Sequence, residues 1–425
     1  MVLRLTAPWD VVTTCGLDNE GTVMNVDATA AGLDAERLGR IADHLRTRYI
    51  EPGKIAGAQV AIVRGGTVGY FESFGQQDRE RSIAVADDAI WRLYSMTKPV
   101  TGVAMMTLYE RGHFQLDDAV ERWIPEWRNM TVCEPDPEAE DGTRIVPSHR
   151  PPTIRDILTH TSGIGYGERN VDLVLGERNW LSGHDLQSMA RCFGAWPLRF
   201  QPGTKWLYSH GMDVAAALVE IISGLPYDEY LRTAVFEPLG MTDTDFWVPA
   251  SKVGRFVACY GRNSRKELML VDDPAESTYL RKPKLFNGGG GLVGTTADYV
   301  RFVTMLANGG TLDGTRLLGR KTVELMTCNH LPGDGEMADF ALPLGYGEVG
   351  FAGAGFGLTV AVSKGPQATG VVGSPGEFMW GGAASTTFWV DPTEELAVVF
   401  MTQLLPSGTF NFRSQLKALV YAALV

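Results

Sequence analysis

The stretch from Ala89 to Gly112, with the sequence AIWRLYSMTKPVTGVAMMTLYERG, constrains the fold more than any other part of this chain. Its first six residues are mostly apolar and predict the end of a strand. Ser95 follows as a good helix N-cap, and apolar or small side chains then recur at the spacing of a helix with one buried face. Arg111 and the glycine after it are typical of a helix end. The stretch therefore predicts a serine at a helix N-terminus, with Lys98 on the same face.

Ser95 and Lys98 have the spacing of a nucleophile and an activating amine. A helix N-terminus favours negative charge, so it favours an alkoxide on the serine and an oxyanion beside it. A neighbouring ammonium lowers the cost of deprotonating a hydroxyl, and burial lowers the pKa of the lysine itself. The Ser-x-x-Lys motif is short enough to occur by chance, and a second copy lies at Ser414–Lys417 in a terminal amphipathic stretch. We interpret that copy as an ordinary exposed helix pair.

The composition of the chain limits the functional classes and the cellular compartment that we expect for it. The chain has 425 residues, of which 44% are hydrophobic and 21% are charged, and these are ordinary globular values. A net charge of −12 argues against binding to nucleic acid or to an anionic membrane surface. The cysteines are dispersed and odd in number, which favours free thiols in a reducing compartment. No signal peptide or membrane-spanning run is recognised, so we expect a cytoplasmic protein.

The order of helical and strand patterns predicts an α+β fold. A helix and a hairpin precede the Ser95 helix, and Gly-rich strands return near the C-terminus. The region between them has several short helical patterns and few strand patterns. The predicted units are an irregular arm at residues 1–30, a catalytic domain at residues 31–120 and 285–425, and a mainly helical domain inserted at residues 121–284 that covers a cleft.

Two further segments carry candidate chemistry. Tyr208 lies in PGTKWLYSH, a loop that leads into a predicted helix, and a tyrosine beside a cation can act as a base for a serine hydroxyl. On its own, a partly buried aromatic residue explains Tyr208 better. The stretch MWGGAASTT places Trp380 and two glycines before a strand, where backbone N–H groups can approach an oxyanion. On its own, a Gly-rich turn explains that stretch equally well.

Four motifs together carry a family resemblance. In chain order they are SMTK at Ser95–Lys98, LTHTSGI at Leu158–Ile164, PGTKWLYSH at Pro202–His210 and MWGGAASTTFWVDP at Met379–Pro392. With this order and spacing the chain resembles the serine β-lactamase and penicillin-binding-protein superfamily. Within it, the chain is most similar to the class C-type branch and to the family VIII carboxylesterases. The resemblance implies a β-lactamase-like α+β fold, an antiparallel sheet flanked by helices with a mainly helical second domain.

The resemblance also implies catalytic roles for the matching residues. Ser95 matches the nucleophile, and Lys98 matches the lysine of Ser-x-x-Lys. Tyr208 matches the tyrosine that acts as general base and later protonates the leaving group. The N–H groups of Ser95 and Ala383 would then form the oxyanion hole.

The implied substrate-binding residues depart from the β-lactamase pattern at two positions. The stretch Trp380, Gly381, Gly382 matches the Lys-Thr-Gly element, so an indole stands where a β-lactamase has a cation. His210 stands where a β-lactamase has asparagine. The missing cation weakens the binding of a substrate carboxylate, and an indole suits a neutral, apolar ester. His160, in LTHTSGI, is interpreted as structural.

These features predict a serine carboxylesterase that hydrolyses short- to medium-chain carboxylic esters through an acyl-enzyme. We expect Tyr208, made acidic by Lys98, to take the proton from Ser95. The prediction includes a small-molecule ester substrate and no cofactor, metal, nucleic acid or membrane partner, and the histidines lack zinc spacing. Weak β-lactamase activity stays open, as do a β-lactamase or D,D-peptidase, an acyltransferase of the same fold, and a non-catalytic sensing domain. The oligomeric state and the natural substrate do not follow from the sequence.

Overall fold

The computed structural model describes residues 24–140, 142–166, 183–342 and 347–425. Residues 1–23 of the predicted arm, Cys15 among them, therefore lie outside the described residues. The last part of the arm lies against the sheet, because the Asp27 N–H donates to the carbonyl of Val68 at 2.9 Å.

The strands are short except for the first two. In chain order the described strands are β1 (Gly57–Arg64), β2 (Thr67–Asp78), β3 (Ile83–Ala84), β4 (Ile90–Arg92), β5 (Thr131–Pro135), β6 (Thr143–Pro147), β7 (Cys259–Arg262), β8 (Leu268–Asp272), β9 (Val293–Thr295), β10 (Thr311–Leu312), β11 (Thr315–Arg316), β12 (Ala354–Phe356), β13 (Ala361–Ser363), β14 (Phe378–Gly381), β15 (Thr387–Asp391) and β16 (Leu396–Thr402).

The helices surround these strands. In chain order the described helices are α1 (Ala35–Leu45), α2 (Thr97–Glu110), α3 (Ile154–Leu158), α4 (Leu186–Phe193), α5 (Gly211–Ser223), α6 (Tyr227–Leu231), α7 (Glu237–Leu239), α8 (Thr296–Ala307), α9 (Arg320–Thr327), α10 (Met337–Phe340), α11 (Pro366–Thr369) and α12 (Phe412–Tyr421). Within the described ranges, no helix combines the length and the apolar character needed to cross a bilayer.

One eight-stranded sheet in the order β12-β13-β14-β15-β16-β1-β2-β3 forms the centre of the fold, and each neighbouring pair of strands is antiparallel. Helices cover both of its faces. Val60 and Ile62 of β1 face α1 and α12, whereas Ala61 and Val63 face the core that contains α8. Successive residues of a strand point to opposite faces, so a strand covered on both sides is apolar throughout. The predicted α+β sheet flanked by helices is confirmed.

The helix that carries Lys98 differs from its prediction in two ways. A 3₁₀ turn over Tyr94–Met96 precedes α2, so the N-cap residue is Met96 and not Ser95. Every residue of α2 from Thr97 to Leu108 is buried, whereas the spacing predicts one buried face. The reason is that α2 packs against α5 on one side, while on another side a Cβ on Gly102 would lie 2.5 Å from the hydroxyl oxygen of Thr359.

The region between residues 121 and 284 contains α3–α7, at or close to the helical stretches that the sequence predicts. It also contains two hairpins, β5–β6 and β7–β8. The acidic, Pro-bearing stretch around residues 131–143 has the composition of a loop, but its ends pair as β5 and β6. Domain boundaries at residues 120 and 285 stay a prediction.

The second Ser-x-x-Lys copy is not the exposed pair that the sequence suggests. Lys417 is buried on α12, and its ammonium forms an ion pair with the buried carboxylate of Glu377, directly before β14. The Tyr421 hydroxyl, one turn later on α12, contacts the same carboxylate at 2.6 Å. The lysine of this copy therefore holds α12 against the central sheet through its ion pair with Glu377.

Replacing Lys417 with Met should lower the free energy of unfolding by about 3 kcal/mol, because the buried carboxylate of Glu377 loses its cation. Urea denaturation followed by tryptophan fluorescence measures the change. The double variant Glu377→Gln/Lys417→Met should recover part of the loss, since no buried charge is then left unpaired. Ser414→Ala serves as the control within the motif and should retain wild-type stability. A Lys417→Met protein as stable as wild type would contradict the buried pair.

Candidate active site

Ser95 lies at the junction between β4 and α2, in a turn that is held tightly on both sides. Tyr94, directly before it, has a φ of +46°, a left-handed conformation that is strained for a bulky residue. The next carbonyl, that of Met96, accepts a hydrogen bond from the Tyr299 hydroxyl of α8 at 2.9 Å. The Ser95 side chain is 8% exposed. The turn therefore presents the serine hydroxyl at the start of a core helix with little freedom to move.

Lys98 is buried beside this serine. Its Nζ lies 3.1 Å from Ser95 Oγ and 2.5 Å from the carbonyl oxygen of Gly289, and it stands 4.4 Å from the ring centroid of Tyr208. Burial lowers the pKa of Lys98 to about 8, while the negative charges of Asp213 and Glu348 oppose this shift. A substantial fraction of Lys98 is thus neutral near physiological pH and can accept a proton from Ser95.

Tyr208 lies on the other side of the serine, in the loop before α5. Its hydroxyl hydrogen-bonds to the Ser95 side chain and accepts a hydrogen bond from the indole Nε1 of Trp380 at 3.3 Å. Burial raises the pKa of Tyr208 well above its usual value, and the hydrogen bonds to Ser95 and Trp380 only partly oppose this. The direction is opposite to the tyrosinate base that the sequence suggests, because Tyr208 is almost fully shielded from water.

The glycines after Trp380 allow the end of β14 to approach the serine turn. A Cβ on Gly382 would lie 2.5 Å from the carbonyl oxygen of Leu93, so only glycine fits there. A Cβ on Gly381 would collide with the Arg413 guanidinium. Ala383 follows in the turn between β14 and β15, next to this contact. Its N–H as an oxyanion donor stays a prediction.

Trp380 itself is completely buried. The sequence suggests that its indole forms an apolar surface for the substrate. In the structure the ring packs against those of Tyr208, 5.4 Å away, and Phe356, also 5.4 Å away. Because an indole N–H can only donate a hydrogen bond, Trp380 leaves the Tyr208 proton free to point toward Ser95.

The sequence patterns do not predict two residues that contact this group, Asp213 and Tyr166. His210 was predicted, but its partner Asp213 was not: His210 Nδ1 lies 2.7 Å from Asp213 Oδ2, and both side chains are buried. The other carboxylate oxygen accepts the Gly289 N–H at 3.0 Å. Tyr166 packs on His210, with 4.5 Å between ring centroids. A signal for Tyr166 was its place two residues after LTHTSGI, and a signal for Asp213 was an acidic residue in the first turn of a helix.

His160 has the structural role that the sequence suggests. Its Nδ1 lies 2.9 Å from Ser209 Oγ, and its ring stands edge-on to Tyr208 at 4.9 Å. Burial, together with the charge of Lys98, lowers the pKa of His160 well below 6.5, so the ring is neutral. The neutral ring therefore supports Tyr208 through packing.

The structure therefore brings Ser95, Lys98, Tyr208 and Trp380 into one hydrogen-bonded group, with His210 linked to it through Asp213 and Gly289. The indole donates to Tyr208, whose hydroxyl meets the serine, and the serine meets the amine. Such a group can deprotonate the serine and hold a proton ready for a leaving oxygen.

Trp380→Phe should slow the reaction of Ser95 with a fluorophosphonate probe about tenfold, because the loss of one buried hydrogen bond leaves the Tyr208 hydroxyl free to rotate. Labelling is followed by intact-protein mass spectrometry. Trp389→Phe is the matched control: Trp389 is also fully buried, and its indole nitrogen has no hydrogen-bond partner among the described residues. Equal labelling rates in the two variants would show that the indole N–H of Trp380 does not orient Tyr208.

Curated relatives are similar to this chain over most of its length. Esterase EstB from Burkholderia gladioli is 30% identical over 409 residues, which cover 91% of this chain and 96% of that protein. Its name describes an esterase, and the match extends well beyond the four motifs.

Two solved structures are also similar to this chain over most of its length. EstCE1, described as a hydrolase with promiscuous acyltransferase activity, has a TM-score of 0.74 and 26% identity, and the match covers 91% of this chain and 98% of that one. Simvastatin synthase from Aspergillus terreus has a TM-score of 0.75 and 25% identity with the same coverage. The family model described as Beta-lactamase matches residues 42–422. The chain therefore belongs to the Beta-lactamase family, and its relatives place it with the hydrolases and acyltransferases of that fold.

Proposed function

We propose that this protein is a cytoplasmic serine carboxylesterase that hydrolyses short- to medium-chain esters through an acyl-enzyme on Ser95. The observation that carries the proposal is the buried Lys98, whose Nζ is 3.1 Å from Ser95 Oγ. A buried amine of lowered pKa beside a serine is typical of a site that activates the serine as a nucleophile. Among the described cysteines, Cys133, Cys192, Cys259 and Cys328 are free thiols, which supports a reducing compartment.

Acylation would begin with proton transfer from Ser95 to neutral Lys98. The serine oxygen attacks the ester carbonyl, and the N–H groups of Ser95 and Ala383 hold the oxyanion. When the tetrahedral intermediate collapses, the alcohol oxygen takes a proton delivered through the Tyr208 hydroxyl, and the Lys98 proton replaces it. A water molecule then attacks the acyl-enzyme by the same route in reverse. In this scheme Tyr208 stays protonated at rest, which agrees with its raised pKa.

A neutral substrate is favoured over one with a carboxylate. Trp380 replaces the expected lysine, and its polar atom is already used by Tyr208. Arg413, whose guanidinium lies beside Gly381, pairs with the buried carboxylate of Glu348 at 3.0 Å. Neither position offers an unpaired cation, so a β-lactam or peptide carboxylate gains no charge-assisted bond there.

An acyltransferase is the second candidate. EstCE1 is described as a hydrolase with promiscuous acyltransferase activity, and it matches this chain over most of its length. Transfer and hydrolysis share the acyl-enzyme and differ in whether an alcohol or a water molecule attacks it. The same serine group would serve both reactions.

The direct test compares p-nitrophenyl butyrate with a chromogenic cephalosporin, using wild type, Ser95→Ala and the control Ser414→Ala. We expect ester turnover in wild type and in Ser414→Ala, a fall in kcat/KM of about 10⁴-fold or more in Ser95→Ala, and little cephalosporin turnover. Adding a primary alcohol and separating the products by chromatography measures transfer against hydrolysis.

Each other outcome selects a different function. Fast cephalosporin turnover would identify a β-lactamase, and stable acylation without turnover would indicate a penicillin-binding or sensing protein. A transfer product that exceeds the hydrolysis product at low alcohol concentration would indicate an acyltransferase. Ester turnover that survives in Ser95→Ala would remove Ser95 as the nucleophile.

The pH dependence tests the role of Lys98. Because only neutral Lys98 can accept the serine proton, kcat/KM for p-nitrophenyl butyrate should rise with pH through about 8, the pKa of Lys98, and fall about tenfold per pH unit below it. Lys98→Arg retains the charge but cannot lose its proton, so it should lower kcat/KM about 10³-fold at every pH. A flat profile between about pH 6 and pH 9, or an active Lys98→Arg protein, would exclude the amine as base.

A further inference from the structure

Asp213 is a buried carboxylate that takes no direct part in the proposed reaction. It lies in the first turn of α5, where a helix N-terminus favours negative charge. Its side chain is 1% exposed. One carboxylate oxygen lies 2.7 Å from His210 Nδ1, and the other accepts the Gly289 N–H at 3.0 Å.

Gly289 connects this carboxylate to the reacting group. The carbonyl oxygen of the same residue accepts a hydrogen bond from Lys98 Nζ at 2.5 Å. Both polar groups of Gly289 are therefore occupied, one by the carboxylate on α5 and one by the amine on α2. A shift of the carboxylate would move the acceptor that holds the amine.

The segment that contains Gly289 fits tightly between α2 and α5. The carbonyl of Gly288 accepts a hydrogen bond from the Thr101 hydroxyl of α2 at 2.6 Å. A Cβ on Gly288 would lie 2.5 Å from the carbonyl oxygen of Met212 and 2.6 Å from the Cβ of Ala216, both on α5. The Gly288–Gly289 peptide, which carries the N–H donated to Asp213, therefore has little room to turn, and the carbonyl that holds Lys98 belongs to the peptide that follows it.

We propose that Asp213 is a positioning residue, which fixes Lys98 against Ser95 through the Gly289 peptide and sets, by its charge, the pH at which Lys98 becomes able to take the serine proton. This inference deepens the proposed function and rests on it. His210 takes part by holding the second carboxylate oxygen, so the carboxylate keeps one orientation toward Gly289.

Several titratable groups lie near Lys98, among them Tyr166, whose ring centroid is 5.8 Å from the amine. Asp213 and Glu348 raise the pKa of Lys98, against the larger effect of burial. Glu348 has its own cation in Arg413, so its field at the amine is partly cancelled. Tyr208 stays protonated and His160 stays neutral, and neither adds a charge.

The hydrogen bond to Gly289 also orients the amine. A carbonyl can only accept, so one N–H of neutral Lys98 must point at Gly289. The lone pair of the nitrogen is then free to face the hydroxyl proton of Ser95, 3.1 Å away. Without the anchored peptide, the amine would have no fixed donor direction and its lone pair would turn away from Ser95 part of the time.

The test measures the rate at which a fluorophosphonate probe labels Ser95, as a function of pH, in wild type and in Asp213→Asn. Asparagine keeps an acceptor for the Gly289 N–H and removes the charge. The acid limb of the profile is the pH range in which the labelling rate rises with pH. In Asp213→Asn this limb should move to lower pH by about half a unit or more, because Lys98 then loses its proton more easily. Asp213→Ala removes the acceptor as well, and its maximum labelling rate should fall about tenfold or more.

Asp298→Asn is the matched control. Asp298 is also buried in the first turn of a helix, α8, where it accepts hydrogen bonds from the Thr244 hydroxyl at 2.7 Å and the Asp243 N–H at 2.8 Å. Its replacement should lower the melting temperature and leave the midpoint of the acid limb unchanged.

A limb that does not move in Asp213→Asn, or that moves equally in Asp298→Asn, would overturn the inference. The probe reacts with Ser95 whether or not the protein turns over esters, so this result is separate from the ester assay. An active wild-type esterase with an unmoved limb would refute the role of Asp213 alone. A wild type that labels but hydrolyses no ester would refute the proposed function alone.

Discussion

The burial of one lysine is the physical constraint on which the rest of this site depends. Removing an ammonium from water is costly, so Lys98 can be buried here only because neighbouring groups hydrogen-bond to it or cover it. Ser95 and the Gly289 carbonyl accept its hydrogens, and the face of the Tyr208 ring covers it. The burial that destabilises the charged form of Lys98 also leaves part of this lysine neutral, and a neutral amine can accept the serine proton.

The fold supplies these neighbours from elements far apart in the chain. The serine turn follows β4, Tyr208 precedes α5, and Trp380 lies in β14 of the central sheet. Each of these positions adjoins a helix or strand that packs in the hydrophobic core, so the polar atoms of the site are held close together. The absence of a side chain at Gly288 and Gly382 allows the backbones to meet closely enough for this arrangement.

Apolar periodicity is a local property, so the sequence predicted the sheet and most helices. Motif order and the family resemblance named the residues that meet around Ser95, and their catalytic roles stay a prediction. The sequence could not predict that Lys98 contacts Gly289, which is 191 positions away, or that Asp213 lies behind that contact. For the same reason it placed Lys417 on an exposed surface. It also assigned a lowered pKa to Tyr208, because the burial of a side chain is set by tertiary packing that a loop motif does not reveal.

The left-handed Tyr94 has a consequence for how this protein can change. A bulky residue in that conformation costs about 1 kcal/mol or more of folding free energy, held directly beside the reacting serine. Glycine adopts this conformation without strain, but it would remove the Tyr94 ring, whose hydroxyl lies 4.0 Å from Cys259 Sγ. Relief of strain at this position is therefore opposed by the loss of packing, and a glycine there would also aim the Ser95 hydroxyl less sharply.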